Sequence, residues 1–65
     1  MDYKGYDIVV VASVGSSGRY SYNVAIRKRP ELLKVLKEHV GEDFHDSQSA
    51  FNAGLQFGRA WVDAQ

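Results

Sequence analysis

Two stretches of the chain, residues 6–14 and 19–28, are rich in β-branched and aromatic residues and follow the two-residue period of a β-strand. In the first, Tyr6, Ile8, Val10, Ala12 and Val14 occupy the even positions. In the second, Tyr20, Tyr22, Val24 and Ile26 do. Gly15-Ser16-Ser17-Gly18 separates them. Directly paired residues on antiparallel strands share a face, so even must face even. A two- or four-residue loop breaks that parity. A three-residue loop, Ser16-Ser17-Gly18, preserves it as a type I turn with a bulge, with Gly18 supplying the left-handed residue. The register that follows pairs Val14 with Tyr20, Ala12 with Tyr22, Val10 with Val24 and Ile8 with Ile26. On the opposite face it pairs Asp7 with Arg27, an opposite-charge match, Val9 with Ala25, and Val11 with Asn23. That second face is mixed. It reads as a solvent face with scattered apolar residues, or as a surface covered by a partner chain or by the middle of this one.

The middle segment shows a different spacing. Leu32, Val35, Leu36 and Val40 recur at helical intervals, Pro30 suits a first helical turn, and Gly41 suits a helix stop. The spacing predicts a helix over 31–39. A third strand over 32–40 is the alternative, because the two periods blur in so short a segment. After a loop at Gly41-Glu42-Asp43, Asp46 or Ser47 caps a long helix over about 47–63. Gln48, Asn52, Gln56, Arg59 and Asp63 form its polar stripe. Phe51, Leu55, Phe57, Trp61 and Val62 flank a ridge of small residues, Ala50, Gly54 and Gly58. Glycine inside an exposed helix costs roughly 1 kcal/mol against alanine, so a ridge of this kind implies close approach by another backbone. Packing on the hairpin is the favoured use; a helix–helix dimer is the alternative. Such a helix spans about 26 Å, close to the ~30 Å of the first strand. The expected architecture is therefore α+β in the order β-β-α-α, one small domain over 1–65, with β-β-β-α as the alternative.

Composition changes this picture little. The chain has 65 residues, no cysteine and a net charge of zero. Disulfides and thiolate metal sites are excluded, and no global charge argues for nucleic acid or an anionic membrane. No apolar run approaches the ~20 residues of a membrane span, and no signal peptide is evident. A soluble cytoplasmic protein without membrane association is expected. Charge patterning matters more. Residues 27–37 hold five basic residues, Arg27, Lys28, Arg29, Lys34 and Lys37, against Glu31, while residues 38–46 hold Glu38, Glu42, Asp43 and Asp46 and no Lys or Arg. The neutral total conceals a dipolar chain. The basic block is the candidate anion or nucleic-acid contact, with Tyr20 or Tyr22 as stacking partners if exposed.

Candidate chemistry is sparse. His39, Glu42, Asp43, His45 and Asp46 are the one cluster of metal-ligand types, but their spacing matches no established motif, and a solvated capping loop explains them. Gly15-Ser16-Ser17-Gly18 leads into a strand with no following Lys-Ser/Thr, so it is not a phosphate loop. No serine has a His and an acid at recognisable spacing. No catalytic residue, metal or cofactor is expected, and the chain does not read as an enzyme.

Tyr3-Lys4-Gly5-Tyr6, the hairpin, Asp43-Phe44-His45-Asp46 and the ending Gly58-Arg59-Ala60-Trp61-Val62-Asp63 together resemble short uncharacterised bacterial proteins. More loosely, the chain resembles the partial fold of HicB-type antitoxins, in which a hairpin precedes a helix. The first resemblance implies no activity; the second implies regulation, although those proteins usually carry a separate DNA-binding segment. The function expected is a small non-enzymatic interaction module, with a protein partner or a second copy as its ligand, acting through Val9, Val11, Asn23 and Ala25. The alternative is a nucleic-acid-binding or antitoxin-like regulatory module using Arg27, Lys28, Arg29, Lys34 and Lys37.

Overall fold

A computed structural model describes residues 1–31 and 33–65. It is an α+β fold: an antiparallel sheet with one C-terminal helix on one of its faces. The strands are β1 (Asp2–Tyr3), β2 (Tyr6–Val14), β3 (Tyr20–Lys28) and β4 (Leu33–Phe44), in spatial order β1-β2-β3-β4, and α1 spans Ser47–Asp63.

The central hairpin has the register that side-chain parity predicts. Ile8 pairs with Ile26, Val10 with Val24, Ala12 with Tyr22 and Val14 with Tyr20, while Asp7 meets Arg27. Its turn closes through Gly18 N–H to Gly15 C=O at 3.0 Å and Gly15 N–H to Arg19 C=O at 2.8 Å. Gly18 has φ +82°, the left-handed conformation that favours a residue without Cβ. β1 is an unanticipated addition. It folds back through Lys4 and Gly5, both at positive φ, so that Tyr3 pairs with Tyr6 and Asp2 with Asp7. Two positive-φ residues in a two-residue loop are the conformation of a type I′ hairpin.

The middle segment corrects the leading expectation. Residues 33–44 form a strand against β3, not a helix over 31–39; the expectation for Leu32 lies outside the described residues. Arg29–Pro30 is a cis peptide in the β3–β4 turn, not a helix start, and Gly41 lies within β4, not at a helix end. The physical reason is that the spacing i, i+4 satisfies both periods. Leu36 and Val40 stack on one turn-to-turn line of a helix, yet they equally share one face of a strand. In the sheet they pair with Ile26 and Tyr22 and point toward α1, as does Phe44 opposite Tyr20. The register shifts between Ile26 and Arg27, so Leu36 and Lys34 have neighbouring partners and Val35 is the extra residue. A two-stranded ribbon is marginal in water, and the third long strand completes it.

Helix α1 begins as expected. Asp46 is the N-cap, with extended backbone, and its carboxylate accepts a hydrogen bond from Ser49 N–H at 2.7 Å. The helix buries Ala50, Gly54, Gly58 and Val62 against the even face of β2 and β3. A Cβ on Gly54 would strike Val10 Cγ1 and come within 3.0 Å of Tyr22 Cδ1; on Gly58 it would lie 2.7 Å from Ile8 Cγ2. The small ridge is thus an intrachain contact. Aromatic rings fill its sides, Trp61 edge-on to Tyr6 at 5.9 Å and Phe57 tilted on Tyr22 at 6.4 Å. The core is Ile8, Tyr22, Val24, Ile26, Ala50 and Val62.

Candidate interaction surface

Because α1 covers one face of the sheet, the other is open among the described residues. Its rows follow from the registers. Asp7, Arg27 and Lys34 lie side by side across β2, β3 and β4; so do Val9, Ala25 and Lys37, then Val11, Asn23 and His39. The expected protein interface, Val9, Val11, Asn23 and Ala25, is therefore one contiguous patch. Val9 is 39% and Val11 54% exposed. Asn23 is held in place: its Oδ1 accepts a hydrogen bond from His39 Nδ1 at 2.9 Å.

The basic block divides. Arg27, Lys34 and Lys37 share this open face and adjoin the valines. Lys28 has the parity of Ile26 and belongs to the helix side, and Arg29 pairs with Asp2 at 2.6 Å. Arg27 and Lys34 are directly opposed like charges, an arrangement that destabilises a sheet unless a counter-charge is near. Asp7, Arg27's partner on β2, supplies one on one side. Neither tyrosine serves this face as a stacking platform. Tyr22 is buried in the core and Tyr20 lies on the helix side opposite Phe44.

The His-acid cluster is dispersed. His39 is on the open face of β4 bound to Asn23, whereas His45 lies beside Asp46 before α1, at 3.0 Å. Asp43 sits near the end of β4, and the side chain of Glu42 lies outside the described residues. Among the described residues no group of three or more His, Asp or Glu could hold a metal, and no pocket forms.

Electrostatics outside this face are structural. Asp46 is held below the usual carboxylate range by its bond from the Ser49 N–H. At the far end of α1, Lys4 Nζ donates to Asp63 at 2.7 Å, and Tyr3 Oη donates to the same carboxylate at 2.9 Å. Those bonds lower the Asp63 pKa and raise that of Lys4. They answer an otherwise unfavourable anion at the negative end of the helix dipole. Burial pushes the Tyr22 phenol up. Sequence reasoning missed this latch between β1 and α1. Its local signal was Lys4-Gly5, a two-residue turn with glycine at its second position.

Fold and surface together define a small α+β domain with an open, mixed sheet face. The chain belongs to a family of domains of unknown function, DUF6566, whose model it matches over residues 1–65. Comparison with curated proteins and with solved structures finds no match for either.

Proposed function

We propose that this domain is a non-enzymatic interaction module that engages a protein partner through the open face of its sheet. The observation that carries the reading is the convergence of Val9, Val11, Ala25 and Asn23 into one uncovered patch, with Arg27, Lys34 and Lys37 along its side. An apolar centre with a polar rim is the anatomy of a protein interface. The basic side selects a partner with an acidic rim. The test is site-specific photo-crosslinking in the source cells. A photoreactive residue at Val11 is expected to trap a discrete protein, and one at Gln56, on the exposed side of α1, is not. Equal trapping from both positions, or none from Val11, rejects the reading.

One observation favours a second reading. Opposed Arg27 and Lys34, with Lys37 beside them, form a positive corner that an RNA or DNA backbone would neutralise. It is the form in which the likeness to HicB-type antitoxins bears on function. The likeness acquires weight if the chain is produced beside a small toxin protein.

A further inference from the structure

The sheet has two free edges, and they are built differently. β4 carries Lys34, Lys37, Glu38 and Asp43 and has two irregularities in its register, the usual devices that keep an edge from pairing. β2 has neither. From Ile8 to Gly18 the chain holds no charged residue. β1 covers only the start of β2, pairing with Tyr6 and Asp7, and Met1 exchanges backbone hydrogen bonds with Ile8. Beyond that point β2 runs on to Val14 with β3 as its one neighbour among the described residues.

The orientation of the free groups follows from Ile8. In an antiparallel ladder alternate residues bond to opposite sides. Ile8 bonds toward Met1, away from β3, so Val10, Ala12 and Val14 direct their N–H and C=O groups off the sheet. Apolar side chains surround this edge. Of the large exposed hydrophobics, Val9, Val11 and Val14 are on β2 itself. Phe51 is a fourth. Phe57 leans on Tyr22 of β3, so Phe51 and Leu55, on the opposite flank of α1, lie on the β2 side. Arg59, on the same flank, reaches Met1 Sδ at 4.0 Å, at the β1–β2 edge.

We propose that a second copy of this chain pairs here, its β2 antiparallel to the first about a two-fold axis at Ala12. The strand is complementary to itself. Ala12 meets Ala12 and Val10 meets Val14 as hydrogen-bonded pairs, using the three residues whose backbone groups are free, and Val11 meets Ser13 on the open face. No charge is desolvated, and β1 stops short of the paired stretch. The helices fit the same axis. Gly58 contacts Ile8 and Gly54 contacts Val10, so four helix residues match two strand residues and Phe51 lies level with Ala12. Each α1 sits over β2 and β3, so at a strand spacing of about 4.8 Å the two helix axes come about 10 Å apart, a packing distance. The two Phe51 rings then meet across the axis. The interface is isologous and closes on itself, which gives a dimer and not a fibre. This assembly does not depend on the outer-face reading.

The test uses the full 65-residue chain, made by chemical synthesis with N-methyl-alanine at position 12. That change removes an edge N–H and leaves the bonds to β3 intact. Sedimentation equilibrium of the unmodified chain is expected to show a monomer–dimer equilibrium. The methylated chain, with unchanged circular dichroism, is expected to associate about tenfold more weakly, since two symmetric hydrogen bonds are lost. Phe51→Glu, at an exposed position, is the second variant and is expected to weaken association equally. Amide exchange at Ala12 and Val14 is expected to slow as concentration rises. A monomer at every concentration overturns the proposal. So does a dimer that both variants retain, or one whose concentration-dependent protection falls on β4.

Discussion

At the scale of single residues, Gly58 shows how packing outweighs propensity. Alanine there gains about 1 kcal/mol of helix preference. Its Cβ would stand 2.7 Å from Ile8 Cγ2, and Ile8 is 1% exposed, with no room to turn aside. Overpacking of this kind costs about 1–3 kcal/mol. Gly58→Ala is therefore expected to lower stability in urea denaturation, a sign opposite to that of the same change on a free helix. Gly54 has Val10 and Tyr22 above it. Gly54→Leu is expected to leave no folded protein by circular dichroism, because the helix would have to lift from the sheet.

At the scale of elements, the two ends of α1 are held by carboxylates, Asp46 at the cap and Asp63 at the latch to Tyr3 and Lys4. Both have folded pKa values below the ordinary carboxylate value. For a depressed acid the stabilising effect is complete above the unfolded-state pKa, about 3.9. It is lost as pH falls through the lower folded value. Melting temperature is thus expected to fall on acidification below about pH 4. Asp46→Asn keeps a capping oxygen and removes the titration, so its melting curve is expected to be flatter across that range. An equally steep curve would assign the acid loss to other groups. Lys4 behaves in the opposite sense: its raised pKa makes its contribution to the latch fade only in strong alkali. β4 illustrates a different point. Half-buried Leu36 and Val40 face α1, while Val35 is 39% exposed, so apolar residues that read as one helical stripe in the sequence divide between two environments.

For the whole molecule, one helix over a sheet leaves one broad face open, and three of the chain's basic residues are arranged on it. Arg27, Lys34 and Lys37 gather beside Val9 and Val11 although they come from two strands. The two readings of that face separate by salt. If RNA or DNA is the ligand, affinity for a single-stranded oligonucleotide, measured by fluorescence anisotropy, is expected to fall with ionic strength. The triple change of Arg27, Lys34 and Lys37 to alanine is expected to reduce the slope of log K against log salt by about 2 for a single strand. Changing Lys28 and Arg29 instead is expected to have little effect, since one lies on the helix side and the other pairs with Asp2. A slope identical in wild type and triple variant removes nucleic acid as the ligand of this face.

The sequence by itself determined what depends on short-range chemistry. Parity of side chains and the position of Gly18 set the β2–β3 register. Asp46 or Ser47 marked the start of the long helix, and the spacing of Ala50, Gly54 and Gly58 marked its buried line. Each is a constraint that neighbouring residues satisfy among themselves. Tertiary structure decided the middle segment, because an i, i+4 pattern fits helix and strand alike and the choice lay with the unpaired edge of β3. It also decided which residues share a surface. Val9 and Lys37 are distant in the chain, Lys28 and Arg27 adjacent, yet the sheet joins the first pair across β3 and separates the second to opposite faces. A candidate site is a statement about faces, and faces exist only once the strands have paired.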